Sequence, residues 1–181
     1  MTADAQSPVS FMFQVNRLPK NGADVTLEAD EAQRAELARI HDLLSVEAFT
    51  AELSVKKWKA DGVMVKGRVR ARITQQCVVT LDPILSHIDE EITAIFVPET
   101  SKLARHLDET EIILNPEAED LPETYSGDSI DLGALAEEFF TLGIDPYPRK
   151  EGITLEEALG GEVEEKRGPL YEQLKKLGGG N

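Results

Sequence analysis

The period of the hydrophobic pattern changes along the chain, and each change marks an element. Phe11 to Val15 and Ala23 to Leu27 read as two short strands, with Pro19-Lys20-Asn21-Gly22 as the turn between them. Asp30 then stands where a helix N-cap belongs, and Gln33 occupies the reciprocal capping-box position three residues on. Leu37, Ile40 and Leu44 follow at helical spacing, which predicts a helix over 31–44.

From Val46 the period falls to two. Segments 46–58, 63–73, 77–81 and 84–96 read as strands rich in Val, Ile and Thr. Asp61-Gly62 is a strong hairpin signal and predicts a two-residue turn. Sequential strands with short connections imply an antiparallel sheet, one able to curl into a barrel. Over 99–128 Glu, Asp and Pro take over around an apolar island at 112–114, the signature of a solvated acidic loop with room for one edge strand. At Asp131 the helical period returns: Leu132, Leu135, Phe139 and Leu142 form one stripe, ended by Gly143 and Pro146. Thr154 with Glu157 opens a further short helix, and Pro169 begins a last one carrying Leu170, Leu174 and Leu177. The expected fold class is α+β in a single domain. Its parts are a mainly antiparallel β core with one helix over 1–98, the acidic Pro-rich loop over 99–128, and a helical section over 129–181 packing on the core.

Charge changes this picture more than composition does. The net charge of −15 argues against anionic membranes and, taken as an average, against nucleic acid. The average is misleading, because residues 1–88 hold 11 Lys/Arg and 11 Asp/Glu while residues 89–181 hold 8 and 23. A single cysteine, Cys77, excludes an internal disulfide. With no apolar run near a membrane span and no signal-peptide pattern, a cytoplasmic location is expected.

Little in the chain suggests catalysis. His41, His87 and His106 stand far apart; His106 and Glu109 could share a helical face, but no third metal ligand accompanies them. Cys77 lies in a strand-like run without an activating base, the setting of a small hydrophobe. The adjacent carboxylates Asp89-Glu90-Glu91, Glu137-Glu138, Glu156-Glu157 and Glu164-Glu165 sit among polar neighbours and read as solvated faces. Aromatic content of 6% argues against a carbohydrate cleft. No catalytic residue, metal or cofactor is expected.

One pattern does point to a ligand. Lys66, Arg68, Arg70 and Arg72 alternate with Val65, Gly67, Val69, Ala71 and Ile73, so a strand here places four cations on one face and the apolar set on the other. A two-residue turn at Asp61-Gly62 would add Lys57 and Lys59 to the same face from the partner strand. Like charges crowded across a sheet are destabilising, so such a cluster needs offsetting carboxylates or a polyanionic partner. The residues alone leave three readings open: RNA phosphate contact, a solubilising edge, and a platform for the chain's own acidic segment.

Three stretches together resemble the YceD family, the large ribosomal RNA subunit accumulation proteins. They are Cys77-Val78-Val79-Thr80-Leu81-Asp82-Pro83-Ile84 with the strand ending Ile95-Phe96-Val97-Pro98; Ile130-Asp131-Leu132-Gly133-Ala134-Leu135-Ala136-Glu137-Glu138 running on to Asp145-Pro146-Tyr147-Pro148; and the terminal 169–177. The resemblance covers residue 45 to the end, and its second stretch is the most specific. Many members carry a second cysteine where this chain has Thr80 and another after the Pro-rich turn, where this chain reads Arg149-Lys150-Glu151-Gly152. A family metal role therefore does not transfer, since one soft ligand makes no structural zinc site. The resemblance implies a non-enzymatic factor in large-subunit ribosome biogenesis, whose partner is ribosomal RNA or a basic ribosomal protein, with no DNA and no membrane expected. Two mechanisms follow. In one, Lys57, Lys59, Lys66, Arg68, Arg70 and Arg72 contact RNA phosphates. In the other the chain is an acidic adaptor, using segment 108–123, the terminal helix and partner contacts at Asp131, Glu137, Glu138, Tyr147 and Arg149.

Overall fold

A computed structural model describes residues 6–102, 104, 122–150 and 152. Its elements are β1 (Met12–Gln14), a 3-10 turn (Val15–Arg17), β2 (Ala23–Glu28), α1 (Glu31–Ile40), β3 (Ser45–Trp58), β4 (Gly62–Gln76), β5 (Pro83–Pro98), β6 (Glu123–Tyr125), β7 (Ser129–Asp131) and α2 (Leu132–Leu142). The main sheet runs β2-β3-β4-β5-β6; its pairs are antiparallel except β5 with β6, which is parallel. A separate antiparallel ribbon pairs β1 with β7. The α+β class holds, and the sheet stays open, with β2 and β6 at its edges.

The core forms because one face of three long strands is almost wholly apolar. Cross-strand ladders run Phe49–Ala71–Ile88, Leu53–Gly67–Ile92 and Val55–Val65–Ala94, and the ladder members other than Gly67 are buried. Both helices cover this face. Leu37 of α1 is fully buried, and Phe140 of α2 meets Phe49 edge-on with ring centroids 5.5 Å apart. Gly67 is where the register leaves no room: a Cβ there would fall onto the Glu52 carbonyl oxygen.

Several elements differ from their predicted bounds, each for a physical reason. The capping box at Asp30 and Gln33 is present, with Gln33 N donating to Asp30 Oδ1 at 2.8 Å and Gln33 Oε1 accepting from Asp30 N at 2.9 Å. The helix nevertheless stops at Ile40, because His41 caps it and Asp42 turns into the left-handed region with φ of 53°. Leu44 thus leaves the helix and is exposed. Segment 77–81 is a turn rather than a strand: Cys77 N donates to Asp82 O, Leu81 N to Cys77 O, and Leu81 has φ of 63°. The β3–β4 loop has three residues, since Trp58 pairs with Gly62 and Lys59 takes the left-handed position. Gly62 belongs to the strand, where the Trp58 ring and the Phe96 carbonyl leave no space for a Cβ. The first two strands do not pair with each other; β1 joins β7 and β2 joins β3. In α2 the buried stripe is Leu132, Leu135, Ala136 and Phe140, leaving Leu142 72% exposed, because Phe140 is the side chain that reaches Phe49. The predicted helices after Thr154 and Pro169, His106 with Glu109, and nearly all of segment 108–123 lie outside the described residues.

Candidate functional site

The polar face of the sheet carries the cationic stripe, and register decides what each cation meets. Lys66 lies between Ser54 and Thr93, Arg68 between Glu52 and Glu91, Arg70 between Thr50 and Asp89, and Arg72 between Ala48 and His87. Arg68 Nη1 donates to Asp89 Oδ1 at 2.9 Å, Arg70 Nη1 donates to Glu52 Oε2 at 2.9 Å, and Arg70 Nε stands 3.7 Å from Asp89. Lys56 shares this face, whereas Lys57 has the opposite parity, paired with Val63. The two-residue turn that would have placed Lys57 and Lys59 in the stripe is replaced by the three-residue loop, which shifts the parity by one. Lys59 instead puts Nζ 3.9 Å from the Trp58 ring centroid.

Within the described sheet this face is charge-balanced. Lys56, Lys66, Arg68, Arg70 and Arg72 share it with Asp24, Glu28, Glu52, Asp89 and Glu91. The offset comes from the protein's own neighbouring strands, and among the described residues Lys66 and Arg72 are the stripe cations without an ion pair. Nearby, Glu47 accepts from Ser45 and Thr74 hydroxyls at 2.5 and 2.6 Å. Burial would raise its pKa, but these bonds and the Arg72 charge hold it below the usual carboxylate value.

A second feature lies at the end of the sheet, a cleft of 520 Å³ where α1, the β4–β5 turn and the chain after α2 converge. Hydrogen bonds lock its frame. Val78 N donates to Pro148 O at 3.0 Å, and Gln75 Nε2 donates to Asp145 O at 2.8 Å. Gln75 is 95% buried, its exposure being 5%, and its Oε1 has no hydrogen-bond partner. The Cys77 sulfur accepts from Thr80 N at 3.5 Å. The Thr80 hydroxyl first, then the amides of Thr80, Lys150 and Val79, lower the Cys77 pKa to about 6. Cys77 is fully buried, and these donors hold its thiol below the ordinary cysteine value. It does not fit a structural metal set, because the position three residues on is Thr80 and the described residues bring no cluster of three His, Cys, Asp or Glu together.

The other predicted contact residues divide by use. Asp131 caps α2 through Gly133 N and Ala134 N, both at 3.0 Å, and ties down the N-terminal segment through Ser10 Oγ at 2.6 Å and Phe11 N at 2.8 Å. Glu137 Oε1 bonds His41 Nε2 at 2.9 Å, joining the two helices. Burial would raise its pKa; the bonds from His41 and Ser7 lower it instead. Glu138, Tyr147 and Arg149 are exposed. Sequence reasoning missed Glu52, Asp89 and Glu91 as partners of the stripe, although the spacing of Asp89 and Glu91 already carried the period of two.

Residues 65–177 of the 181 match the profile of the family described as large ribosomal RNA subunit accumulation protein YceD. The chain belongs to the YceD family. The matched span contains most of the stripe's strand and the two stretches, 77–84 and 143–150, whose backbones meet at the cleft. The YceD description connects the chain to the accumulation of large-subunit ribosomal RNA. No curated protein and no solved structure matches. Among the described residues no helix is long and apolar enough to cross a membrane.

Proposed function

We propose that this YceD-family protein is a non-enzymatic, cofactor-independent factor that supports accumulation of large-subunit ribosomal RNA by engaging a protein partner. The observation that favours a protein over RNA is the charge balance of the sheet's polar face. A phosphate approaching Arg68 or Arg70 would have to displace Asp89 or Glu52. The rest of the molecule brings the net charge to −15. Counterion release, which supplies most sequence-independent affinity for nucleic acid, is correspondingly small. A basic ribosomal protein is the partner class that this charge fits. Glu138, Tyr147 and Arg149 are exposed for such a contact, while Asp131 and Glu137 position the elements beneath them.

Lys66 and Arg72 support a second reading, direct RNA contact, because their cross-strand neighbours are uncharged or histidine. Association of the full chain with purified large-subunit precursor particles, with and without nuclease, separates the two. A protein partner leaves nuclease-resistant association that Lys66→Gln with Arg72→Gln does not change. Association abolished by nuclease and weakened by that double variant overturns the adaptor reading. RNA contact through these two cations would give a log–log salt slope of about −1.4 for a single strand.

A further inference from the structure

We propose that the cleft at the end of the sheet docks a cationic segment of a partner protein through an apolar anchor, a reading that rests on the protein-partner function above. Leu44, Val78 and Leu81 line it at 54%, 47% and 65% exposure, and Tyr147 stands exposed in the same loop as Asp145 and Pro148. These leucines are not loose surface. Leu81 is held in the left-handed region, φ of 63°, which is strained for a branched side chain and is maintained by the Cys77 and Asp82 backbone bonds. The structure thus spends local strain to present an apolar side chain to solvent.

The charge of the occupant follows from what surrounds that anchor. Asp42 and Asp145 line the cleft, and the lining contains no Lys or Arg. Both helices end against it: His41 caps α1, and Ile144 and Asp145 follow the α2 cap at Gly143. Helix C-termini carry partial negative charge and favour cations. The last turn of α2 has no basic residue, and Arg39 of α1 is bonded to Glu36 at 2.9 and 2.6 Å. His41 is held by Glu137, and Lys150 beyond the rim lies 3.6 Å from Asp82; Arg149 is the exposed cation nearest in sequence. The Gln75 side-chain oxygen Oε1 and the Cys77 sulfur add acceptors behind the same wall. An acidic or neutral segment would leave this negative potential unanswered.

Fluorescence anisotropy on the full chain tests the assignment with three synthetic peptides: a Lys/Arg peptide with Leu and Phe anchors, the same charges without anchors, and the anchors with Glu replacing the cations. The first is expected to bind at least about ten times more tightly than the others. Leu81→Gly is the discriminating variant. It relieves the left-handed strain, so its melting temperature stays level or rises while affinity for the first peptide falls about ten-fold. Val78→Ser, which removes the apolar anchor without adding charge, should lose the same affinity. No binding of the first peptide, equal binding of the acidic one, or affinity unchanged by Leu81→Gly overturns the proposal. So does a dimer seen by sedimentation that Leu81→Gly dissociates, which would assign the cleft to a second copy. Nuclease-resistant association with precursor particles that survives Leu81→Gly overturns the cleft and leaves the adaptor reading standing.

Discussion

Around Cys77 the Thr80 hydroxyl and the amides of Val79, Thr80 and Lys150 converge on one sulfur and lower its pKa to about 6. An unperturbed thiol titrates at about 8.5. The folded value is depressed, so the stabilising contribution is complete above pH ~8.5 and disappears as pH falls through about 6. Thiolate absorbance, measured against Cys77→Ser as a blank, should titrate near that value, and Thr80→Val should move the midpoint upward. A midpoint near that of a free thiol would contradict the hydrogen-bonded geometry. Sequence showed that Cys77 has no second cysteine and sits beside valines. It did not show the amide from Lys150, because that donor is brought by a turn some seventy residues away.

The long strands were legible as elements because side-chain alternation is a local property of extended backbone. The faces of β4 followed from the same alternation: Val65, Val69, Ala71 and Ile73 are buried and Lys66, Arg70 and Arg72 are exposed. What was not legible was register. The extra loop residue at 59–61 moved Lys57 off the stripe, and the pairings with β3 and β5 brought Glu52 and Asp89 onto it. Helix faces were similarly half-read. A stripe at Leu132, Leu135, Phe139 and Leu142 is a valid helical row, but the neighbouring row containing Phe140 wins because it fits Phe49. Register also makes Gly67 irreplaceable, since its added Cβ would meet the β3 backbone and not a movable side chain. Gly67→Ala should destabilise the fold by about 3 kcal/mol, read from urea midpoints. A change within about 0.5 kcal/mol would show that the β3–β4 pair tolerates a shift there.

For the whole molecule, charge works at two ranges. The cross-strand pairs on the polar face are exposed, so solvent screening leaves each of them a small contribution. The net −15, concentrated beyond residue 88, acts as self-repulsion over the Debye length. Raising ionic strength should therefore raise the unfolding midpoint while weakening the binding of a basic partner. A midpoint that falls with salt would mean that the ion pairs outweigh the repulsion.

Local pattern along the chain was enough for the α+β class, the strand faces, the α1 capping box, the acidic second half and the family resemblance. Each follows from local backbone geometry, from simple counting or from short contiguous motifs. Long-range packing set which cations are neutralised, which row of α2 is buried, and that Leu44, Val78, Leu81 and Asp145 share one cleft. Those outcomes depend on pairings between residues far apart in the chain, where a shift of one residue reverses the face of every side chain it moves.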